Sequence, residues 1–487
     1  MLTTRQIIIR QNDEFYDYFT KATKAATNLY NSTLFRLRQV MTALKKDPVQ
    51  WSRHEQMIVD EINNALPEMN NRYDKNSSDH QRFKFPTKDK WTLDYYFMYA
   101  LFKVTENPDY CNKVLSRDVA KNVVYSTCSS MKRHIDAVKQ QSGATSNAHL
   151  PRYFEGLRRH SLCFSSQTVV PKFDQDGKLY FKFPLTKMKF YMKPIDFSVY
   201  KLQKVTVNYQ YGVFYVNFIL DDNKEYAPMA THSERICAID IGVNNIAAVT
   251  NNIGEPCMLF KGGVAKSANN LYNKQLVQIR DKYCTDDNKK IEHISEYQQV
   301  TIRRNNAVYD FINKVVHMII KWCVEHNIDT IVVGNMHSSL TTDDGMQKEK
   351  SFFVPLPLYR VRRQIKYKAE AAGIIYIETD ESYTSQASFL DGDVIPVVKS
   401  NITPHFSGKR SPKYYNGVYN SNGWARLYET SDGRIVNADL NASANIARKA
   451  LGAIFDKGIQ PDLFQVVVVS HPDKPVWVCP SKHLNAV

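Results

Sequence analysis

Two aspartates stand where carboxylates could do chemistry. Asp240 closes the apolar run Ile236 to Ile239, in Arg235-Ile-Cys-Ala-Ile-Asp-Ile-Gly-Val-Asn-Asn-Ile246. Asp439 sits in Asn437-Ala-Asp-Leu-Asn-Ala-Ser-Ala-Asn-Ile446. The apolar run reads as a buried strand, and a charge directly after it must be solvated, paired or bound to a metal. Gly242, Asn244 and Asn245 supply turn chemistry before a returning strand, Ile246 to Val249. Asp439 falls at the start of a helix, whose positive end favours a carboxylate. Singly, a turn-capping and a helix-capping aspartate explain each position. Together they suit phosphodiester hydrolysis, which needs several hard carboxylates converging on two Mg²⁺ ions roughly 3.5–4 Å apart. A third acid is then expected at the sheet edge where parallel strands end, because such sheets bind ligands there.

The elements that must position these acids read as mixed α/β. Strands are expected at 236–239, 246–249 and 257–260, long helices at 269–283 and 291–326, and a strand at 330–333. A helix at 358–372 ended by Gly373, a strand at 374–377 and a last helix at 438–451 follow. Three strands and then β-α-β-α is the element order of an RNase H-like nuclease core. A polar loop rich in Tyr and Gly separates the last two elements, from 385 to 436. Upstream, a strand at 3–10 precedes helices at 15–44, 57–66, 91–104 and 116–140. Alternating segments at 161–170, 178–183, 205–209 and 213–220 then read as a small antiparallel β-module. A helical block inserted after the first strand explains why strand signals bracket it. Arg152, Arg158, Arg159, Lys187 and Lys204 make this module basic.

Composition narrows the partners. The 487 residues exceed one ordinary core, and 43% hydrophobic with 23% charged residues is globular. Lys and Arg number 64 against 49 acids, a formal +15, beside 29 Tyr and 24 Phe. That balance favours a polyanion whose bases can stack on aromatic rings. No run approaches the ~18 apolar residues of a membrane span, and no secretory signal pattern opens the chain. The 8 cysteines are scattered without a Cys-x-x-Cys pair, which points to reduced thiols and no zinc site.

Several motifs in this order carry a resemblance. Ile239-Asp-Ile-Gly-Val-Asn-Asn245, Tyr367-Lys-Ala-Glu-Ala-Ala-Gly373 and the Asn437–Ile446 run look like the RuvC-type nuclease domain of TnpB proteins. The relatives of that group are the compact type V CRISPR effectors and the eukaryotic Fanzor proteins. Glu381-Ser-Tyr-Thr-Ser-Gln-Ala-Ser388, Phe406-Ser-Gly-Lys-Arg410 and Ser431-Asp-Gly-Arg-Ile-Val436 strengthen it. The resemblance implies a β-rich wedge domain (1–10 and 151–230), a small antiparallel barrel carrying an inserted helical recognition domain (11–150). It further implies a RuvC-like nuclease domain (231–384 and 437–455), a target-nucleic-acid-binding loop insertion (385–436) and a C-terminal tail (456–487). The activity implied is RNA-guided DNA cleavage: base pairing of a guide RNA reads the target and the protein reads a short flanking motif. Guide RNA and double-stranded DNA are the implied partners, and two Mg²⁺ ions, or Mn²⁺, the implied cofactors. The location would be the cytoplasm with the nucleoid, or the nucleus for a Fanzor. Lys409, Arg410 and Arg434 join Arg152, Arg158 and Arg159 as candidate nucleic-acid contacts.

The chain departs from the family pattern twice. The usual glutamate after the fourth strand is here Gly334, in Ile331-Val-Val-Gly-Asn335. A subset of the family carries that glutamate after the fifth strand, which points to Glu381, with Glu378 nearer the strand and Asp380 shorter. The usual four-cysteine zinc site is missing, because 385–436 holds no cysteine. Stabilisation by Tyr414, Tyr415 and Tyr419 is expected in its place, and no zinc. A nuclease-inactive repressor and a transposase on an RNase H-like core are the competing readings.

Overall fold

A computed structural model describes residues 2–74, 83–140, 149–223, 234–283, 291–335, 356–396, 404–424, 426–452, 461–473 and 477–479. The chain divides into two compact units, Met1–Lys224 and Glu225–Val487.

In the first unit, β1 (Leu2–Ile9) leads into α1 (Tyr16–Ala43), α2 (Arg53–Asp74), α3 (Tyr95–Val104), α4 (Pro108–Cys111) and α5 (Arg117–Gln140). Phe19, Ala22, Ala26, Leu29, Leu34 and Leu37 form the buried stripe of α1, at the spacing a helix requires. The second helix runs well past the expected 57–66 and through Pro67, because Ile58, Ile62, Ala65 and Met69 keep its buried face continuous. Asp94 caps α3 by accepting a hydrogen bond from the Phe97 N–H.

The remaining strands are β2 (Leu162–Ser165), β3 (Val170–Phe173), β4 (Leu179–Lys182), β5 (Lys189–Tyr191), β6 (Lys201–Gln210) and β7 (Val213–Asp221). A turn splits the expected strand 161–170 into β2 and the start of β3. The first strand pairs antiparallel with β7 across the sequence gap, as the inserted helical block requires. The expected barrel is instead two antiparallel sheets, β1-β7-β6-β2 and β3-β4-β5, among the described residues. They share one core with Phe164, Phe181, Phe183, Phe214 and Phe218.

The second unit is built on a seven-stranded sheet. Its first strands are β8 (Ile236–Asp240), β9 (Asn245–Asn251) and β10 (Cys257–Lys261). After α6 (Gly263–Tyr283) and α7 (Ser295–Glu325) come β11 (Thr330–Asn335), α8 (Leu358–Ala371) and β12 (Ile375–Asp380). The sheet order is β12-β11-β8-β9-β10, extended by two further strands, β18 (Val466–Val469) and β19 (Trp477–Cys479). The expected C-terminal tail is thereby corrected: Val466 pairs parallel with Cys257, and the valine run is a sheet strand.

Alternation sends Cys237 and Ile239 to one face, under α7 and α8, and Ile236 and Ala238 to the other. The last helix, α9 (Ala438–Leu451), covers that second face. Both faces are covered, so the strand reads as continuously apolar. The expected loop 385–436 also contains structure: β13 (Lys409–Arg410), β16 (Leu427–Glu429) and β17 (Ile435–Asn437) form a sheet. A hairpin of β14 (Tyr414–Tyr415) and β15 (Val418–Tyr419) stands beside it in sequence. No helix among the described residues is long and apolar enough to cross a membrane.

Candidate metal centre

Parallel pairing places the ends of three strands on one edge. Val333 lies opposite Ile239 on β8 and Glu378 on β12, so Asp240, Gly334 and Thr379 follow one another across the edge. Asp240 ends β8, and Glu381 is the first residue past β12. Asp439 stands in the first turn of α9, where Asn437 caps the helix by accepting from the N–H groups of Asp439 and Leu440.

Electrostatics tie the three acids together. Burial holds the Asp240 carboxyl well above the usual carboxylate range, and the charges of Asp439 and Glu381 raise it further. Arg410 and the Ile241 backbone N–H pull the other way. Glu381 is pushed up to about 7, chiefly by burial, against the pull of Arg362. Its Oε1 is buried with no hydrogen-bond partner among the described residues. A carboxylate oxygen in that state is costly unless a cation or proton meets it. Asp439 accepts from Asn245 Nδ2 at 2.8 Å through one oxygen and faces Arg410 Nη2 at 3.7 Å through the other.

The neighbouring acids are otherwise engaged. Glu378 accepts from the Tyr376 hydroxyl at 2.9 Å and from Asn335 at 3.3 Å. Asp380 accepts from Lys449 Nζ at 2.8 Å. Residue 334 explains how Glu381 reaches inward: its Oε2 lies 2.9 Å from where a Cβ on Gly334 would stand. The glutamate therefore leans from the end of β12 over β11, toward the end of β8.

The helix that carries Asp439 also braces the turn that carries Glu381. Asn441 donates to the Ala387 carbonyl and accepts from the Phe389 N–H, at 2.8 and 2.9 Å. Asn445 donates to the carbonyls of Thr384 and Ala387, at 2.9 and 2.7 Å. Ser443 donates to the Ala238 carbonyl of β8 at 2.9 Å. The polar face of this helix is thus buried and spent on backbone groups.

Hard carboxylates, one buried oxygen without a partner, and mutual charge repulsion all suit a divalent cation. As placed, no three His, Cys, Asp or Glu side chains among the described residues converge tightly enough to grip one. Arg410 supplies the positive charge beside Asp439 instead.

The cysteine-free insertion is laced by acids and serines. Asp391 accepts from Ser407 and Ser431 hydroxyls, and Asp393 from the Ser388 and Ser407 backbone N–H groups. Of the tyrosines expected to hold it, Tyr415 is buried, whereas Tyr414 and Tyr419 are exposed and meet ring to ring at a 51° tilt. Fully buried Tyr428, which donates to the Gln386 carbonyl, is the ring that sequence reading passes over.

Two family models match the chain. The model OrfB_IS605, described as a probable transposase, matches residues 195–340, and the Cas12f1-like TNB domain matches 359–446. Over these two segments the chain is similar to TnpB and compact type V effector proteins. The first match includes every element from β6 through β11, and the second runs from α8 into α9. Among solved structures, similarity extends to a Cas12f1–sgRNA–target DNA complex at 14% identity and TM-score 0.30, covering 91% of this chain and 98% of that one. A CRISPR-Cas12f ternary complex gives 12% and 0.29, with 85% and 81% covered. Alicyclobacillus acidoterrestris C2c1 with single-guide RNA gives 8% and 0.31, with 86% and 70% covered. No curated protein matches the chain in a sequence comparison.

The candidate basic residues separate. Lys409 and Arg410 share a strand beside the acids, and Arg434 is paired with Asp432 at 2.7 Å. In the first unit Arg152 and Arg158 are exposed, while Arg159 lies over the Tyr209 ring at 4.2 Å and donates to Thr23. Sequence reading misses Asn245 and Lys449, whose partners lie 194 and 69 residues away in the chain.

Proposed function

We propose that this chain is an RNA-guided DNA endonuclease in which Asp240, Glu381 and Asp439 hold two Mg²⁺ ions, with Mn²⁺ able to replace them. The single observation carrying the reading is Glu381, whose buried, unpartnered carboxylate oxygen belongs to the group of acids at one sheet edge. Similarity to the OrfB_IS605 and Cas12f1-like models supports nuclease activity in general, and these residues are its proposed site. Bound metal would supply Lewis-acid stabilisation of a phosphodiester under attack and a hydroxide at neutral pH. The protein's own part is orientation. Asn245 fixes one Asp439 oxygen, the α9 asparagines hold the turn of Glu381, and Arg410 offers a cation to a nearby phosphate.

A guide RNA, from a transposon end or a CRISPR array, and double-stranded DNA next to a short motif are the proposed partners. Arg152, Arg158 and Lys409 are exposed cations for backbone contacts. Relocation of the glutamate favours an active nuclease over an inactive repressor, since the carboxylate lost at Gly334 has a substitute. The test is to purify the protein with its RNA, sequence that RNA, recode its guide segment and assay cleavage with Mg²⁺. Cleavage that follows the recoded guide is expected. Absence of bound RNA, or cleavage indifferent to the guide, would overturn the proposal.

A further inference from the structure

The room made by Gly334 has a consequence for how the third acid is aimed. A Cβ at this position would stand 2.8 Å from Ile446 Cδ1, 2.9 Å from Glu381 Oε2 and 3.4 Å from Glu381 Cβ. All three contacts are side-chain contacts, and the backbone is not in the left-handed region that favours glycine. Gly334 is therefore needed for space and not for conformation. Of the two side chains in the way, Ile446 is fully buried in the core between α9 and the sheet. Close packing leaves it little freedom to move. Glu381 is only partly buried, and its carboxylate is the end of a flexible chain. Any side chain at 334 would thus push the Glu381 carboxylate aside.

A second contact limits the opposite drift. Lys449, on the last turn of α9, donates to Asp380 Oδ2 at 2.8 Å and to the Ser382 carbonyl at 2.9 Å. These residues flank Glu381 on both sides. One ammonium group therefore holds the turn to the helix that carries Asp439.

We propose that Gly334 and Lys449 are positioning residues for the metal site: the empty volume at 334 receives the Glu381 side chain, and Lys449 holds its turn against α9. The pairing is one of exclusion, in which residue 334 and residue 381 cannot both place bulk at this point of the edge. The idea rests on Glu381 as a metal ligand, and its test is chosen to fail separately.

The experiment uses the full-length protein with its RNA. Mn²⁺ binding is measured by calorimetry and guide-programmed cleavage in parallel. Gly334→Ala should weaken Mn²⁺ binding and slow cleavage by roughly 10–100-fold, the range typical of residues that orient metal ligands. RNA affinity should be unchanged. Lys449→Met should shift Mn²⁺ affinity in the same direction. The exchange Gly334→Glu with Glu381→Ser moves the acid to the strand that borders Asp240, and should bind Mn²⁺ more tightly than Gly334→Ala. That comparison decides the matter even if the alanine variant folds poorly. Parental Mn²⁺ affinity and cleavage in Gly334→Ala would overturn the proposal, as would an exchange variant no better than Gly334→Ala. A fully active Glu381→Gln would instead remove the ligand assignment itself.

Discussion

At the scale of single residues, burial of an acid makes a prediction about stability. Glu381 is raised from its ordinary 4.5 to about 7 in the folded chain. A carboxyl raised on folding favours the folded state below its unfolded pKa and loses that contribution as pH climbs through the folded value. Metal-free protein should therefore lose stability between about pH 4.5 and 7, with Asp240 adding to the loss in the same direction. Glu381→Gln removes the charge. In EDTA at pH 8 its melting temperature should exceed the parent's by roughly 1–3 °C, with the gap closing toward pH 4.5. A lower melting temperature at pH 8 would show that the carboxylate is satisfied where it stands. Asp240 was legible because an apolar run stops on a charge, and Asp439 because it stands at the start of a helix. Glu381 was legible only through the resemblance. Its neighbours Glu378 and Asp380 look as suitable in sequence, and what separates them is their engagement with Tyr376 and Lys449. Such contacts cannot be read from spacing.

At the scale of elements, the last helix carries the argument. Leu440, Ala444 and Ala447 give it an apolar face, and its asparagines Asn441 and Asn445 are buried as well. Asn445 serves two carbonyls of the turn beyond Glu381, at 2.9 and 2.7 Å. Asn445→Leu should destabilise the protein by about 1–3 kcal/mol, because the Thr384 carbonyl loses this donor while Ala387 keeps only Asn441. Urea unfolding would measure it, and a neutral result would mean that the turn is held elsewhere. The insertion before this helix offers a second check. Its Asp391 and Asp393 network of serine and backbone donors occupies the segment where the family places zinc. Elemental analysis should find no stoichiometric zinc, and one zinc per chain would contradict the account of that segment. Val466–Val469 shows what sequence position can hide. Four valines carry a clear strand signal, yet their place near the chain end reads as a tail until β10 is seen to pair with them.

At the scale of the whole molecule, the element order was largely legible, because hydrophobic period changes sharply where helices give way to strands. The small antiparallel barrel is two sheets among the described residues: hydrogen bonding alone distinguishes a ring from two sheets, and alternation looks the same in both. The formal charge of +15 belongs to this scale as well. Affinity for a structured guide RNA should fall steeply with salt, by about 10³-fold or more between 50 and 200 mM if six or more phosphates are neutralised. A flat dependence would argue against RNA as the partner. The most direct test of the central claim is guide-programmed DNA cleavage in Mg²⁺ by Glu381→Gln and Glu378→Gln proteins with equal RNA occupancy. The account predicts that Glu381→Gln loses cleavage by at least about a hundredfold while Glu378→Gln stays near the parent. Full cleavage by Glu381→Gln would contradict it.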